Sequence, residues 1–183
     1  MKKILLVMGS PRVRGNTYAL YSHFKELLHK DGIVFDSVEV GLEKTIQPCS
    51  HCGACHKVGK CIKKDSFEPV ISNFKDYSHI IWFTPIYFFQ LTSQSKAFLD
   101  RLYGTKSEDW SYKKLFVFAV SGSEDYFGGA DIVNEIFIRS AEYVGFEYIG
   151  MYNKVTHDKI LKVDSKDKET MISLVNDIKR DLQ

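Results

Sequence analysis

All four cysteines of the chain, Cys49, Cys52, Cys55 and Cys61, fall within the stretch PCSHCGACHKVGKC at 48–61. Their spacing is C-x2-C-x2-C-x5-C. Packing alone does not gather thiols in this way. Three thiols at two-residue gaps can wrap one iron–sulfur cubane, and the fourth must then reach the last iron. Gly53 eases the tight turn, and the excursion containing Gly59 lets the loop double back. Lys57, Lys60, Lys63 and Lys64 offer positive charge to offset the thiolates. Two other readings remain open. A zinc ion has His51 and His56 at hand, although gaps this short crowd a tetrahedral shell. With no metal at all, Cys55 and Cys61 are packing residues, and Cys49 and Cys52 form a reduced thiol pair.

The rest of the chain must position that loop. Its 183 residues, 44% apolar and 26% charged, suit one ordinary globular domain. A net charge of +2 with scattered Lys and Arg argues against a nucleic-acid or membrane-surface partner. The longest apolar runs hold about six residues, too few to span a bilayer. The opening MKKILLVMG has too short an apolar core for a leader peptide and reads as a first strand. The expectation is a cytoplasmic protein. Disulfides are rare there, and clustered thiols more often bind metal or do redox work.

Five apolar runs alternate with amphipathic segments: Lys2–Met8, Val34–Val40, His79–Phe83, Leu115–Val120 and Phe146–Tyr152. The first, third and fourth are nearly continuous, as strands covered on both faces should be. Val34–Val40 alternates more and suits a strand nearer an edge. Helical faces are expected from Leu20, Phe24, Leu27 and Leu28; from Ile132, Val133, Ile136, Phe137 and Val144; and from Met171, Ile172, Val175, Ile178 and Leu182. Gly32 and Gly145 are expected to end helices. Strand and helix in alternation predict an α/β three-layer sandwich around a parallel sheet. Ligands of such sheets bind beyond the carboxyl ends of the strands. The segments after residues 8, 83 and 120 are therefore the ones to inspect.

Three loops lie there. GSPRVRGNT, at 9–17, leaves a strand and enters a helix, so its free N–H groups can cradle an anion. Ser10, Asn16 and Thr17 add donors and Arg12 a charged fork. It lacks the spacing of a triphosphate loop. One phosphate monoester fits better, and a tight turn with a capping Asn or Thr is the plainer reading. TPIYFFQLTSQSKAFLDR, at 84–101, sets Tyr87, Phe88 and Phe89 at the sheet edge, either to pack a flat ring or as core and subunit contacts. Thr92 or Ser93 can cap the next helix, and Lys96 can pair with Asp100. SGSEDYFGG, at 121–129, leaves room for a ring to approach the backbone, with Tyr126 or Phe127 over one face, unless it is only a flexible loop. Together the three loops supply the layout flavin mononucleotide (FMN) needs: a phosphate cradle, a polyol path and a flat-ring shelf.

These elements carry a resemblance. GSPRVRGNT, PCSHCGACHKVGKC followed by Asp65, and TPIYFFQLTSQSKAFLDR stand in the order found in the flavodoxin-like NAD(P)H-dependent FMN reductase group. Within that group the chain is most similar to the iron–sulfur flavoproteins. The resemblance implies a single flavodoxin-like domain over 1–183, with a five-stranded parallel sheet in order 2-1-3-4-5 and a cysteine-rich loop insertion at about 42–65. It implies that Ser10, Arg12, Asn16 and Thr17 contact the FMN phosphate. Pro85, Ile86, Tyr87 and Phe88 would line the ribityl chain and ring, and Ser121, Gly122 and Gly128 would close the ring site. The cysteine spacing matches that of iron–sulfur flavoproteins, so the four thiols are expected to hold a [4Fe-4S] cluster.

By the same resemblance the chain is a flavin-dependent oxidoreductase and a homodimer or homotetramer with aromatic loops in its interface. It would move electrons between a ferredoxin-like donor or NAD(P)H and a small-molecule acceptor. A cluster-free FMN, quinone or nitro-compound reductase is the alternative, and a metal-stapled binding protein the third reading. No catalytic side chain is expected. His23, His29 and His79 read as surface or satisfied structural residues, His157 beside Asp158 as part of a solvated turn, and Asp100-Arg101 as holding a helix against the sheet.

Overall fold

The computed structural model describes residues 2–42, 46–104, 112–157, 159–160 and 162–183. Positions 43–45 of the expected insertion and Asp158 therefore lie outside the described residues.

The first strand, β1 (Lys3–Met8), shows why the sheet is central. Ile4 to Met8 are all fully buried. Side chains alternate across a strand, so Ile4, Leu6 and Met8 face one layer of helices while Leu5 and Val7 face the other. β2 (Phe35–Val38), β3 (Tyr77–Tyr87), β5 (Lys114–Ser121) and β6 (Glu147–Val155) complete a parallel sheet in order β2-β1-β3-β5-β6. A short strand β4 (Gln90–Leu91) folds back antiparallel on the end of β3. Without it, the parallel strands follow the expected 2-1-3-4-5 arrangement. β2 is an edge strand, and of its residues only Val38 is buried.

α1 (Asn16–Lys30) and α6 (Ser165–Leu182) cover one face, with Leu20, Phe24, Leu28, Met171, Val175 and Ile178 in its core. Leu174 belongs to that core, whereas Ile172, expected there, is 49% exposed. A 100° step per residue places Leu174, not Ile172, one turn from Met171 and Ile178. The other face holds α3 (Glu68–Ser72), α4 (Ser93–Leu102) and α5 (Ala130–Val144), with Phe98 and Phe137 edge-on to Trp82. Gly145 caps α5 in the left-handed region, as expected. The last short helix, α2 (Ala54–Val58), lies within the cysteine stretch. No helix of the described residues is long and apolar enough to cross a membrane.

Candidate functional site

Two sites are built on this frame, one at each end of α4. At the carboxyl edge of the sheet, Ser10, Arg12, Asn16, Thr17, Pro85, Ile86, Tyr87, Ser121 and Gly122 line one cleft of about 270 Å³. The three loops inspected for sequence reasons thus converge. α1 starts behind Gly15 with no side-chain capping bond, so Asn16 and Thr17 do not play the capping role of the plainer reading. The helix opens toward the cleft, with no acidic residue in its first turn and Arg12 beside it. Uncapped N–H groups and the positive end of the helix dipole suit an anion. Ser10 is buried, and its hydroxyl oxygen accepts from the Arg12 N–H at 3.1 Å. Thr92 holds this loop to α4: its hydroxyl donates to the Gly9 carbonyl at 2.7 Å and accepts from the Ser95 N–H at 3.1 Å.

Two expected members lie elsewhere. Phe88 is 94% exposed and does not line the cleft. It and Phe89 occupy a tight β3–β4 hairpin at φ 47° and 68°, a geometry that swings the first ring outward. Gly128 is buried in a short 3-10 turn behind the cleft, its N–H on the Asp125 carbonyl at 2.8 Å. The next residue, Gly129, has φ 67°, and a Cβ there would stand 2.7 Å from the Phe89 Cα. Only glycine tolerates both demands. The hairpin thereby meets the 121–129 loop, where Phe89 approaches Tyr126 and Tyr126 approaches Phe127.

A fourth segment, after β6, was missed in the sequence. Thr156, Lys159 and Ile160 also line the cleft. The Thr156 N–H and hydroxyl both donate to the Ser121 carbonyl, at 3.0 and 3.1 Å, and Asn16 Nδ2 donates to the Lys159 carbonyl at 2.7 Å. The apolar run ends before these residues, and only parallel pairing of β5 with β6 brings them to the edge.

At the other end of α4, Cys49, Cys52, Cys55 and Cys61 all line a single cavity of about 120 Å³. Gly53 and Gly59 bracket α2 at φ 71° and 74°; Cys49 and Cys52 are exposed, and Cys55 and Cys61 half-buried. The His51 N–H points to Cys49 Sγ at 3.4 Å. A Cβ on Gly104 would stand 3.1 Å from the Cys55 Cβ, so the end of α4 is pressed against the loop. Among the expected lysines only Lys63 lines the cavity, its Nζ donating to the Pro48 carbonyl at 2.6 Å. The described residues contain no group of three or more His, Cys, Asp or Glu side chains gathered for a single ion. The thiols line the cavity without being gathered.

The buried cation of this site is Arg101, read from sequence as a helix anchor. Its side chain is fully buried, pairs with Asp65, and lines the cysteine cavity. Burial pushes the Asp65 carboxyl up, but Arg101 and the N–H groups of Gln47 and Phe67 outweigh it and hold it below the usual carboxylate range. Nine residues of helical rise separate Thr92 from Arg101, about 14 Å. The remaining histidines fall as expected where the contacts are described. His79 is satisfied by Ser78 and Asp181, at 3.0 and 2.9 Å.

A family model described as NADPH-dependent FMN reductase matches residues 2–146. An iron-sulfur flavoprotein of Methanocaldococcus jannaschii is 30% identical over 99 residues, 54% of this chain and 51% of that protein. One from Archaeoglobus fulgidus is 29% identical over 130 residues, 70% of this chain and 66% of the relative. For the first two curated relatives, the chain spans about half their length. Among solved structures, an FMN-dependent NADH-azoreductase of Bacillus anthracis in complex with FMN superposes with a TM-score of 0.68, covering 99% of both chains at 12% identity. That likeness establishes the flavodoxin-like fold.

Proposed function

Because the chain belongs to the NADPH-dependent FMN reductase family, we propose that it is an FMN-dependent oxidoreductase. In this reading it passes electrons between a reduced donor and a small-molecule acceptor through a [4Fe-4S] cluster. One observation carries the cluster: all four cysteines, distributed through a short loop, line the same cavity. The two curated relatives described above are themselves iron-sulfur flavoproteins.

When bound, FMN takes up electrons singly or as hydride, and a cubane passes them one at a time. The chain's own residues bind and orient. Arg12, Ser10, Asn16, Thr17 and the α1 N-terminus hold the phosphate, with Lys159 a second cation at that end. Pro85, Ile86 and Tyr87 line the chain and ring, and Ser121 and Gly122 close the cleft. Phe88 and Gly128, outside the cleft, act on the hairpin and turn that shape it. Cys49, Cys52, Cys55 and Cys61 ligate the cluster. The cysteine cavity lies at the far end of α4 from its own cleft, and in this reading the cluster exchanges electrons with the flavin of another subunit of a homodimer or homotetramer. A ferredoxin-like protein or NAD(P)H is the donor.

A second reading, a cluster-free NAD(P)H-dependent FMN, quinone or nitro-compound reductase, is favoured by the exposed aromatic patch of Phe88, Tyr126 and Phe127. Such rings can stack substrates without help from the cysteines.

Anaerobic purification followed by a spectrum and metal assay separates the two. The cluster reading expects a brown protein with about four irons and four sulfides per chain, one complete cubane. Cys61→Ser should lower that content and leave FMN bound. A plain yellow protein bleached by NADPH supports the second reading, and a colourless one that rejects FMN overturns both.

A further inference from the structure

We infer that Arg101 is the buried counter-charge of the cysteine site, oriented by Asp65, and that it makes the cluster easier to reduce. The inference rests on the cluster reading above. Arg101 Nη1 bonds Asp65 and the Gln47 carbonyl, the latter at 3.3 Å, and Nη2 reaches the Lys63 carbonyl at 3.4 Å. Gln47 precedes Cys49 and Lys63 follows Cys61, so one guanidinium clamps both ends of the cysteine loop. Its plane lies over the Phe67 ring, 4.4 Å from the centroid. A lysine has no planar fork with which to make these contacts together.

The order of charges matters. Arg101 lines the cavity and Asp65 does not, so the pair presents its positive end to the thiols. A guanidinium keeps its proton in proteins, so this positive charge is fixed. Arg101 Nε is buried with no hydrogen-bond partner among the described residues. An N–H left unpaired at this depth is costly, and sulfur acceptors of a loaded site would satisfy it. Arg101 also sits in the last turn of α4, whose negative dipole end is pressed against Cys55 through Gly104. An anionic cluster placed there needs an opposing charge. Reduction adds one more negative charge, so fixed positive charge favours the reduced form.

The test is an EPR-monitored redox titration of anaerobically purified wild type, Arg101→Gln, Arg101→Lys and Asp65→Asn, each with iron, sulfide and FMN content measured. In Arg101→Gln the reduced-to-oxidised ratio at the wild-type midpoint should fall about tenfold, a downward shift of about 59 mV. Asp65→Asn frees the same cation from its counter-ion and should shift the midpoint upward. Arg101→Lys should fall between wild type and Arg101→Gln. A purely structural clamp would alter cluster content and leave the midpoint of loaded protein in place. An unshifted midpoint in loaded Arg101→Gln, or shifts of one sign in both Arg101→Gln and Asp65→Asn, overturns the inference. If Arg101→Gln takes up no cluster, Asp65→Asn decides by the direction of its shift. Wild type that holds FMN but no iron or sulfide removes the cluster reading, and the inference with it.

Discussion

Arg12 and Arg101 show how two residues of one type take different work from their surroundings. Arg12 stands in an open cleft beside an uncapped helix start, where a phosphate can meet its guanidinium. Charge-assisted bonds of this kind contribute about 1.5–3 kcal/mol. Arg12→Ala should therefore weaken FMN binding roughly tenfold or more by fluorescence titration, and unchanged affinity would remove Arg12 from the phosphate site. Arg101 is sealed from water and already paired with Asp65. Breaking a buried pair on one side costs about 3–5 kcal/mol, because the other charge is left unpaired. Asp65→Ala should lower the chemical-denaturation midpoint accordingly, and a loss within error would show the pair to be dispensable. In sequence, Arg12 was readable as an anion ligand because it sits in a turn between strand and helix. Arg101 lies in the last turn of an amphipathic helix, and nothing local distinguishes a helix anchor from a neighbour of the cysteine loop.

α4 connects the two sites. Its N-cap Thr92 bonds the Gly9 carbonyl of the 9–17 loop, and its last turn carries Arg101. An N-cap is worth about 1 kcal/mol. Thr92→Ala should thus lower stability by about that amount and also loosen the 9–17 loop, seen as weaker FMN affinity if that loop holds the phosphate. Normal affinity in a destabilised variant would limit Thr92 to the helix. At the opposite, N-terminal edge of the sheet, His79 of β3 bonds Asp181 of α6. Burial lowers the His79 pKa from its ordinary 6.5, and Lys114 and Lys2 push the same way, against the pull of Asp181. The unfolded chain therefore binds a proton that the folded chain resists. The stability at stake is fully present above about pH 6.5 and is lost as pH falls toward the depressed folded value. Urea midpoints should decline on acidification from that point, and His79→Gln should flatten the decline below about pH 6.5. An identical slope in the variant would assign the acid sensitivity to other groups.

At the scale of the whole molecule, the cleft and the cysteine cavity lie by opposite ends of α4, whose Thr92 and Arg101 are about 14 Å apart by helical rise. If electrons pass between subunits, dilution to monomer should leave FMN and iron in place while slowing flavin reduction by a cluster-specific donor. A rate independent of concentration in demonstrably monomeric protein would locate the route within one chain. The sequence by itself determined the layered α/β fold, since continuous apolar runs alternate with amphipathic helices only where a sheet is covered on both faces. It also determined which loops meet at the carboxyl edge, because parallel strands deliver their ends to one side. The cysteine spacing marked a second site on its own. Only the tertiary structure decided that Thr156 and Lys159 line the cleft, that Phe88 turns to solvent, and that Arg101, paired with Asp65, lines the cysteine cavity. These depend on strand register, on the sense of a two-residue hairpin and on how one helix end meets a distant loop. They are contacts between residues far apart in the chain, for which local periodicity carries no signal.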